Sequence, residues 1–415
     1  MQTITVPDYY PKFKCSGPQC EDTCFNGWWS IDVDCDTYQL YESSKNETLT
    51  PLFQNALSQN SASSAINTFN FGFLKMKPDG SCHFLQQDKL CAIHCQLGPQ
   101  ALSDTCRLYP RYLNQFGALR ENSLGISCPE AARLILLNPE PMQFVEIPPD
   151  PAIDEKPFTS YRFPLQSEGD VEQISILNDF RAVIVAIFQF REISIGARLM
   201  LLGFLLEDVN KVTSSEKFSH AIEILPVLQD FVGMLSYPDE LETQFAQIEA
   251  SLPRKIEMAT KLIAESPIDS TSPRFKQVLK LAADGIGATQ SAEQILSQYS
   301  ENQALYYQPY FRNKEYIFEN HLVNQVITRL FPFARGSYID LYRELVCGYS
   351  VIQVLLVGIG AKNKGLDDAQ VIQLFQTFAR NANHNKNYLG KLLDSLHAQQ
   401  GDSFVDVMWL LKEQP

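Results

Sequence analysis

Residues 171–209 read VEQISILNDFRAVIVAIFQFREISIGARLMLLGFLLEDV. Within them Ile176, Phe180, Val183, Ile184 and Ile187 recur at threes and fours. That spacing lines apolar side chains along one face of an α-helix. A second helix is expected over Ala197–Val209 and a third over Ile222–Ser236. Leu241–Glu265 gives one or two more around Pro253, and beyond Glu319 the helical signals run on, broken at Pro332 and Gly336. No alternating strand pattern interrupts this half. The expected fold is mainly α, with an N-terminal cysteine-rich metal-binding module of irregular loops packed on a helical domain.

The most apolar stretch, Leu345–Ala361, carries no charge but includes three glycines, a serine and a glutamine. It is short for a bilayer span, so a buried core helix is expected. Its Val357-Gly358-Ile359-Gly360-Ala361 string is not a dinucleotide loop. No strand precedes it, and Asn363 stands where a third glycine belongs. A close helix–helix contact or a helix end is the better reading.

Three segments are expected: a cysteine-rich module over 1–137, a proline-rich connector over 138–170 and the helical domain over 171–415. Proline fixes φ and removes a donor, which makes the connector extended.

The net charge is −14 and no long Lys/Arg block occurs. A nucleic-acid partner, which needs a basic patch, is therefore not expected. The opening MQTITVPDYYPKFKC has neither the basic nor the apolar region of a secretory signal. A cytoplasmic location without a membrane partner follows as an expectation.

Nine of the ten cysteines lie between Cys15 and Cys128. In a reducing compartment dense thiols point to zinc or an iron–sulfur cluster rather than disulfides. The spacings are Cys15-x4-Cys20-x3-Cys24, Cys82-x8-Cys91-x3-Cys95, then Cys106 and Cys128. They lack the paired C-x2-C knuckles of zinc ribbons, and the first triplet exceeds the plant-type ferredoxin spacing by one residue. Cysteines are also missing at Gly27 and Gly98, where a radical S-adenosylmethionine site would need them. Spacing alone therefore leaves the metal open. Turns at Ser16-Gly17-Pro18 and Pro78-Asp79-Gly80-Ser81 sit beside Cys15 and Cys82, where backbone N–H groups can point at sulfur. Cys347, outside the group, reads as a buried small hydrophobe. His83 and His94 flank cysteines, and His384 is a weak candidate base. His220 and His397 read as surface residues.

Several strings together resemble the flagellin lysine N-methylase family. They are Phe13-Lys14-Cys15 through Cys24, Gly80-Ser81-Cys82-His83-Phe84-Leu85 to Cys91, and Thr105-Cys106 with Tyr109-Pro110-Arg111. Cys128-Pro129-Glu130-Ala131-Ala132-Arg133 and Glu319-Asn320-His321-Leu322-Val323-Asn324 extend the likeness. The resemblance implies methylation of the ε-amino group of lysines on flagellin or another protein, with S-adenosylmethionine as donor. It also implies a [4Fe-4S] site, alternatively zinc, carried over onto Cys15, Cys20, Cys24, Cys82, Cys91, Cys106 and Cys128. The family often has a double cysteine where this chain has Cys24-Phe25. Cys95, on one helical face with Cys91, is a candidate replacement, and Cys35 is a spare. The alternative function is a zinc- or iron-chelating protein without methyl transfer.

A lysine attacks a methyl group only as the neutral amine, so the site must lower its pKa or take its proton. Tyr109 and Arg111, beside Cys106, are candidates to hold the donor's carboxylate or to order the cluster. Glu319 and Asn320 are candidate donor contacts, with helix capping as the other reading.

Overall fold

The computed structural model describes residues 3–24, 31–60, 70–154, 161–163, 169–213, 221–265, 272–288, 290–333, 337–384 and 404–412. The strands are β1 (Ile4–Pro7), β2 (Ile31–Val33), β3 (Leu57–Gln59), β4 (Gly72–Leu74), β5 (Arg111–Phe116), β6 (Leu119–Leu124), β7 (Phe144–Ile147) and β8 (Tyr161–Phe163). In the first third of the chain the helices are short: α1 (Cys35–Glu42), α2 (Thr50–Ala56), α3 (Ala92–Leu97), α4 (Asp104–Leu108), α5 (Pro129–Leu136) and α6 (Pro151–Asp154). The rest is helical: α7 (Gly169–Gln189), α8 (Ile195–Thr213), α9 (Ile224–Met234), α10 (Pro238–Gln247), α11 (Leu252–Glu265), α12 (Pro273–Ile286), α13 (Ala292–Asn302), α14 (Gln308–Phe311), α15 (Tyr316–Thr328), α16 (Tyr338–Asn363) and α17 (Asp368–His384). The chain is mainly helical, as its periodicity implies.

The first third is more regular than its loop-rich sequence suggests. Five strands form one sheet in the order β7-β1-β6-β5-β8, and three form another in the order β2-β4-β3. β1 runs parallel to β6, β5 antiparallel to β6, and β8 parallel to β5. The proline-rich stretch supplies both edge strands of the larger sheet. Its FVEI segment pairs antiparallel with β1, from Ile4 opposite Ile147 to Pro7 opposite Phe144. The prolines of this stretch flank β7 rather than occupy it, so β7 itself loses no ladder N–H.

One apolar core contains residues from both sides of position 137. Ile4, Val6, Leu124 and Ile135 pack in the same cluster as Phe180, Leu199, Val326 and Val354. A smaller cluster lies within residues 31–102, where Tyr41 stacks on Phe53 at 4.4 Å and bonds the Ala101 carbonyl at 2.8 Å. Cys82 and Cys91 are part of that second cluster.

α16 is long and apolar enough to cross a membrane, yet 94% of its apolar window is buried inside the fold. It is the core helix expected there. It crosses α12 so closely that a Cβ added at Gly285 would overlap the Gly358 carbonyl, and one at Gly358 would overlap the Ala282 carbonyl. Gly358 of the false dinucleotide string, together with Gly285, thus permits two backbones to touch. Gly358→Ala is expected to destabilise by about 2–3 kcal/mol through overpacking, outweighing a helix-propensity gain of about 1 kcal/mol. A urea titration followed by circular dichroism checks the sign.

α15 packs on α17 through His321, whose ring lies edge-on to Phe375 at 5.0 Å. Burial, helped by Arg329, pulls the His321 pKa down to about 3. The unfolded chain binds that proton near the ordinary value of about 6.5. Stability is therefore full above that value and falls as pH drops towards 3. His321→Phe is expected to reduce the loss between pH 7 and 5 by about 2 kcal/mol. Urea unfolding of both proteins at the two pH values measures it.

Candidate functional site

All ten cysteines carry free thiols. The seven singled out by the sequence fall into two neighbourhoods that meet. Burial raises the Cys24 thiol well above its usual range, and the thiols of Cys106, Cys15 and Cys128 raise it further. Cys128 is pushed up to about 11 by burial, partly offset by the backbone N–H groups of Ala131 and Glu130, with Cys20 and Cys15 close by. These thiols form the first neighbourhood.

The second holds Cys82, Cys91 and Cys106. Burial pushes Cys106 up to about 12, offset by the Ser103 hydroxyl and increased by Cys82 and Cys91. Cys82 is pushed up to about 11 by burial, with backbone N–H groups of Phe84 and Leu85 opposing. Cys91 is raised by burial and held down by the N–H groups of His94 and Ile93. Cys95 is an exposed member of α3 that still influences Cys91. Cys24 and Cys106 link the two groups.

Local chain geometry explains the backbone support. Cys91 and Cys128 are the N-cap residues of α3 and α5. Their thiols sit where unpaired N–H groups favour negative charge. Gly17, at φ +54°, lets the turn after Cys15 close, and its N–H approaches the Cys15 sulfur at 3.5 Å.

The loop carrying Cys20 and Cys24 is clamped by three helices. Arg133 of α5 grips Glu21 at 2.6 and 3.2 Å. Arg274 of α12 donates to the Glu21 carbonyl at 3.3 Å. Arg380 of α17 pairs with the Asp22 carboxylate at 2.8 Å and donates to the Thr23 carbonyl at 3.1 Å. One turn earlier, the Gln376 amide donates to Asp22 and to the Ser127 carbonyl, each at 2.8 Å. α17 therefore joins the Cys20–Cys24 loop to the segment that ends at Cys128.

Tyr109 belongs to this site. Its hydroxyl lies 3.1 Å from that of Ser127. Burial raises its pKa well above the usual range, and Cys128, Arg380 and Cys24 are its titratable neighbours. Arg111 lies over the rings of Phe13 at 5.1 Å and Tyr10 at 6.0 Å, steadying the segment before Cys15. Glu319, in the first turn of α15, is 1% exposed and gripped by Arg191 at 2.8 Å twice and by Arg198 at 3.1 Å. Asn320 donates to the Asn138 carbonyl at 2.8 Å. These four residues share no hydrogen-bond partner among the described residues. The side chains of Phe25, His220, His384 and His397 lie outside the description.

The sequence reading missed Asp22, Gln376 and Arg380. Arg380 stands in the same string as His384, but nothing local marks it as a partner for a loop some 358 positions away.

The donor set suits a thiolate-bound metal in kind: several buried thiols, raised by one another and supported by N–H groups. Among the described residues, however, no three His, Cys, Asp or Glu side chains stand close enough to hold an ion. The thiols are gathered without being closed into a cage.

Fold and site together define a mainly helical protein whose helical half clamps a thiol-bearing N-terminal segment. A family model described as the FliB lysine N-methylase C-terminal domain matches residues 181–410, more than half of the chain, and the chain belongs to that family. The matched span includes Gln376 and Arg380 but none of the seven cysteines. A lysine-N-methylase of Salmonella typhimurium is 34% identical over 145 residues, 35% of each chain. The flagellar biosynthetic protein FliU of Salmonella muenchen is 34% identical over 145 residues, 35% of this chain and 83% of that one. A lysine-N-methylase of Salmonella choleraesuis is 33% identical over the same length, again 35% of each chain. The similarity thus spans about a third of the two lysine-N-methylases. No solved structure matches.

Proposed function

We propose that this chain is a cytoplasmic protein-lysine N-methyltransferase. It takes the methyl group from S-adenosylmethionine and places it on surface lysines of flagellin or a similar protein. The observation that carries this reading is the family match over 181–410. The lysine-N-methylase and flagellar names of the relatives support it.

In the reaction the lone pair of the lysine Nζ attacks the sulfonium methyl carbon. The C–N bond forms as the C–S bond breaks, and S-adenosylhomocysteine leaves. The ammonium proton must depart beforehand, to solvent or to a base, so the site must lower the pKa of the incoming lysine by burial or take its proton. Near-attack alignment of amine and sulfonium carries much of the rate.

Cys15, Cys20, Cys24, Cys82, Cys91, Cys106 and Cys128 are the residues that would hold an iron–sulfur group, [4Fe-4S] in this proposal, with zinc the alternative. Such a group, when bound, would supply metal cations that hold these thiols as thiolates; because the thiolate-bound group is anionic overall, the neutral amine must come from burial or from a base. Arg380 and Gln376 fix the loop that bears Cys20 and Cys24. Tyr109, with Cys24 and Cys128 as neighbours, orders the thiols or meets the donor. Arg111 holds the Phe13 segment against β5. Glu319, gripped by Arg191 and Arg198, serves by positioning α15, while Asn320, whose Nδ2 donates to the Asn138 carbonyl and whose Oδ1 has no partner among the described residues, is the candidate donor contact.

The test is methyl transfer by protein purified without oxygen, using donor with a labelled methyl group and monomeric flagellin. Label on lysine Nζ, located by mass spectrometry, is the expected result. Metal-loaded protein that methylates neither flagellin nor any lysine-rich protein would instead favour the chelating function.

A further inference from the structure

α8, α9 and α10 enclose a groove of about 410 Å3 that the thiol site does not use. Its floor is apolar, built from Leu201, Phe204, Phe231 and Leu241. Met234 and Tyr237 line it while standing 42% and 60% exposed. Large apolar side chains left at the surface around a concavity mark a place where something docks.

The rim says what docks. Glu207, Asp208 and Glu240 line the groove, against a single cation among the described residues, Lys211. Lys211 sits 2.8 Å from Asp208 and 3.8 Å from Glu207, so it offsets one of three carboxylates. The whole chain carries a net charge of −14, which reinforces the field. An aromatic and thioether floor ringed by carboxylates suits an alkyl chain that ends in an ammonium. That is the chemistry of a lysine side chain.

We propose that this groove is a docking site for a lysine-bearing segment of the protein substrate. The proposal rests on the lysine-methylating reading above. The segment lays an apolar side chain on Phe204 and Phe231 and sets its ammonium groups among Glu207, Asp208 and Glu240. It holds the substrate while another lysine is methylated, so it governs which proteins are chosen rather than the chemical step. Paired charges across such a contact speed encounter and set specificity.

The experiment uses the full chain purified without oxygen and monomeric flagellin as the probe. Two proteins are compared with the parent: the triple substitution Glu207→Gln, Asp208→Asn, Glu240→Gln, and the single Tyr237→Ala. For the triple variant we expect flagellin binding to weaken about tenfold and KM for flagellin to rise alike, with kcat unchanged. Turnover of a short lysine peptide, too small to reach both places, stays as in the parent. Binding by the parent weakens as salt rises from about 0.05 to 0.5 M, and the variant loses that dependence. Unchanged flagellin affinity in both variants overturns the proposal. So does a change in self-association by sedimentation with flagellin binding intact, which would assign the groove to a second copy. A parent that binds flagellin through the groove yet transfers no methyl group supports the groove and refutes the activity.

Discussion

Glu319→Ala is expected to lower the free energy of unfolding by about 3–5 kcal/mol. The carboxylate is 1% exposed and accepts from Arg191 twice at 2.8 Å and from Arg198 at 3.1 Å. Arg198 is only 2% exposed, and burial already lowers its pKa. Its guanidinium also donates to the Ile193 and Phe188 carbonyls, at 2.9 and 2.8 Å. Those neutral acceptors satisfy hydrogens but not charge. Removing Glu319 leaves the buried Arg198 without the carboxylate it hydrogen-bonds, with only the charge of Glu315 nearby, a costly way to break such a pair. Glu319→Gln keeps the shape and should cost less. Replacing both Glu319 and Arg198 with leucine and methionine should recover most of the loss, since a buried pair is often matched by apolar residues of similar size. Urea unfolding of the three variants beside the parent checks the order. Full stability in Glu319→Ala, with donor binding lost, would instead make the residue a donor contact.

Arg380→Ala is expected to cost about 3 kcal/mol and to loosen the Cys20–Cys24 loop. Arg380 is 3% exposed in its side chain and Asp22 11%, so the pair is nearly dry. The guanidinium serves the Asp22 carboxylate together with the Asp22 and Thr23 carbonyls. Lysine, whose donors sit on one compact ammonium rather than a spread planar fork, cannot reach all three, so Arg380→Lys should recover only part of the effect. Beyond stability, Cys20 and Cys24 in metal-free variant protein should react faster with a thiol reagent. Their modification rates, resolved by peptide mass spectrometry, distinguish a loop clamp from a general weakening, because Cys347 in the core of α16 should not follow them.

Glu319 and Arg380 also show where sequence reading stops. The apolar positions Ile176, Phe180, Val183, Ile184 and Ile187 write α7 plainly, because helical burial repeats within one turn. Leu345–Ala361 revealed a core helix by the same logic. The strands were not legible. They are three to six residues long, too short for alternation to stand out. β1 pairs with residues more than a hundred positions away, Thr5 opposite Glu121. β7 hides among prolines that mark a connector by composition.

The site divides in the same way. Cys82, Cys91, Cys106 and Cys128 announce themselves by residue type, and Tyr109 by its place beside Cys106. Arg380, Gln376 and Asp22 carry no such mark, because their meaning lies wholly in a long-range contact. Glu319 drew attention as a polar residue in a signature string, but only the folded chain reveals Arg191 and Arg198 around it. The glycines at 358 and 285 illustrate the converse: the string suggested a close contact, and the contact partner came from another helix.

The decisive measurement is the metal and sulfide content of the chain purified without oxygen, with its visible spectrum. If the seven thiols serve as proposed, the protein is brown and holds about four irons and four sulfides. Cys24→Ser, at the junction of the two thiol groups, should lose most of that iron. Colourless protein with neither iron nor zinc, and with all ten thiols open to titration, would contradict the proposal.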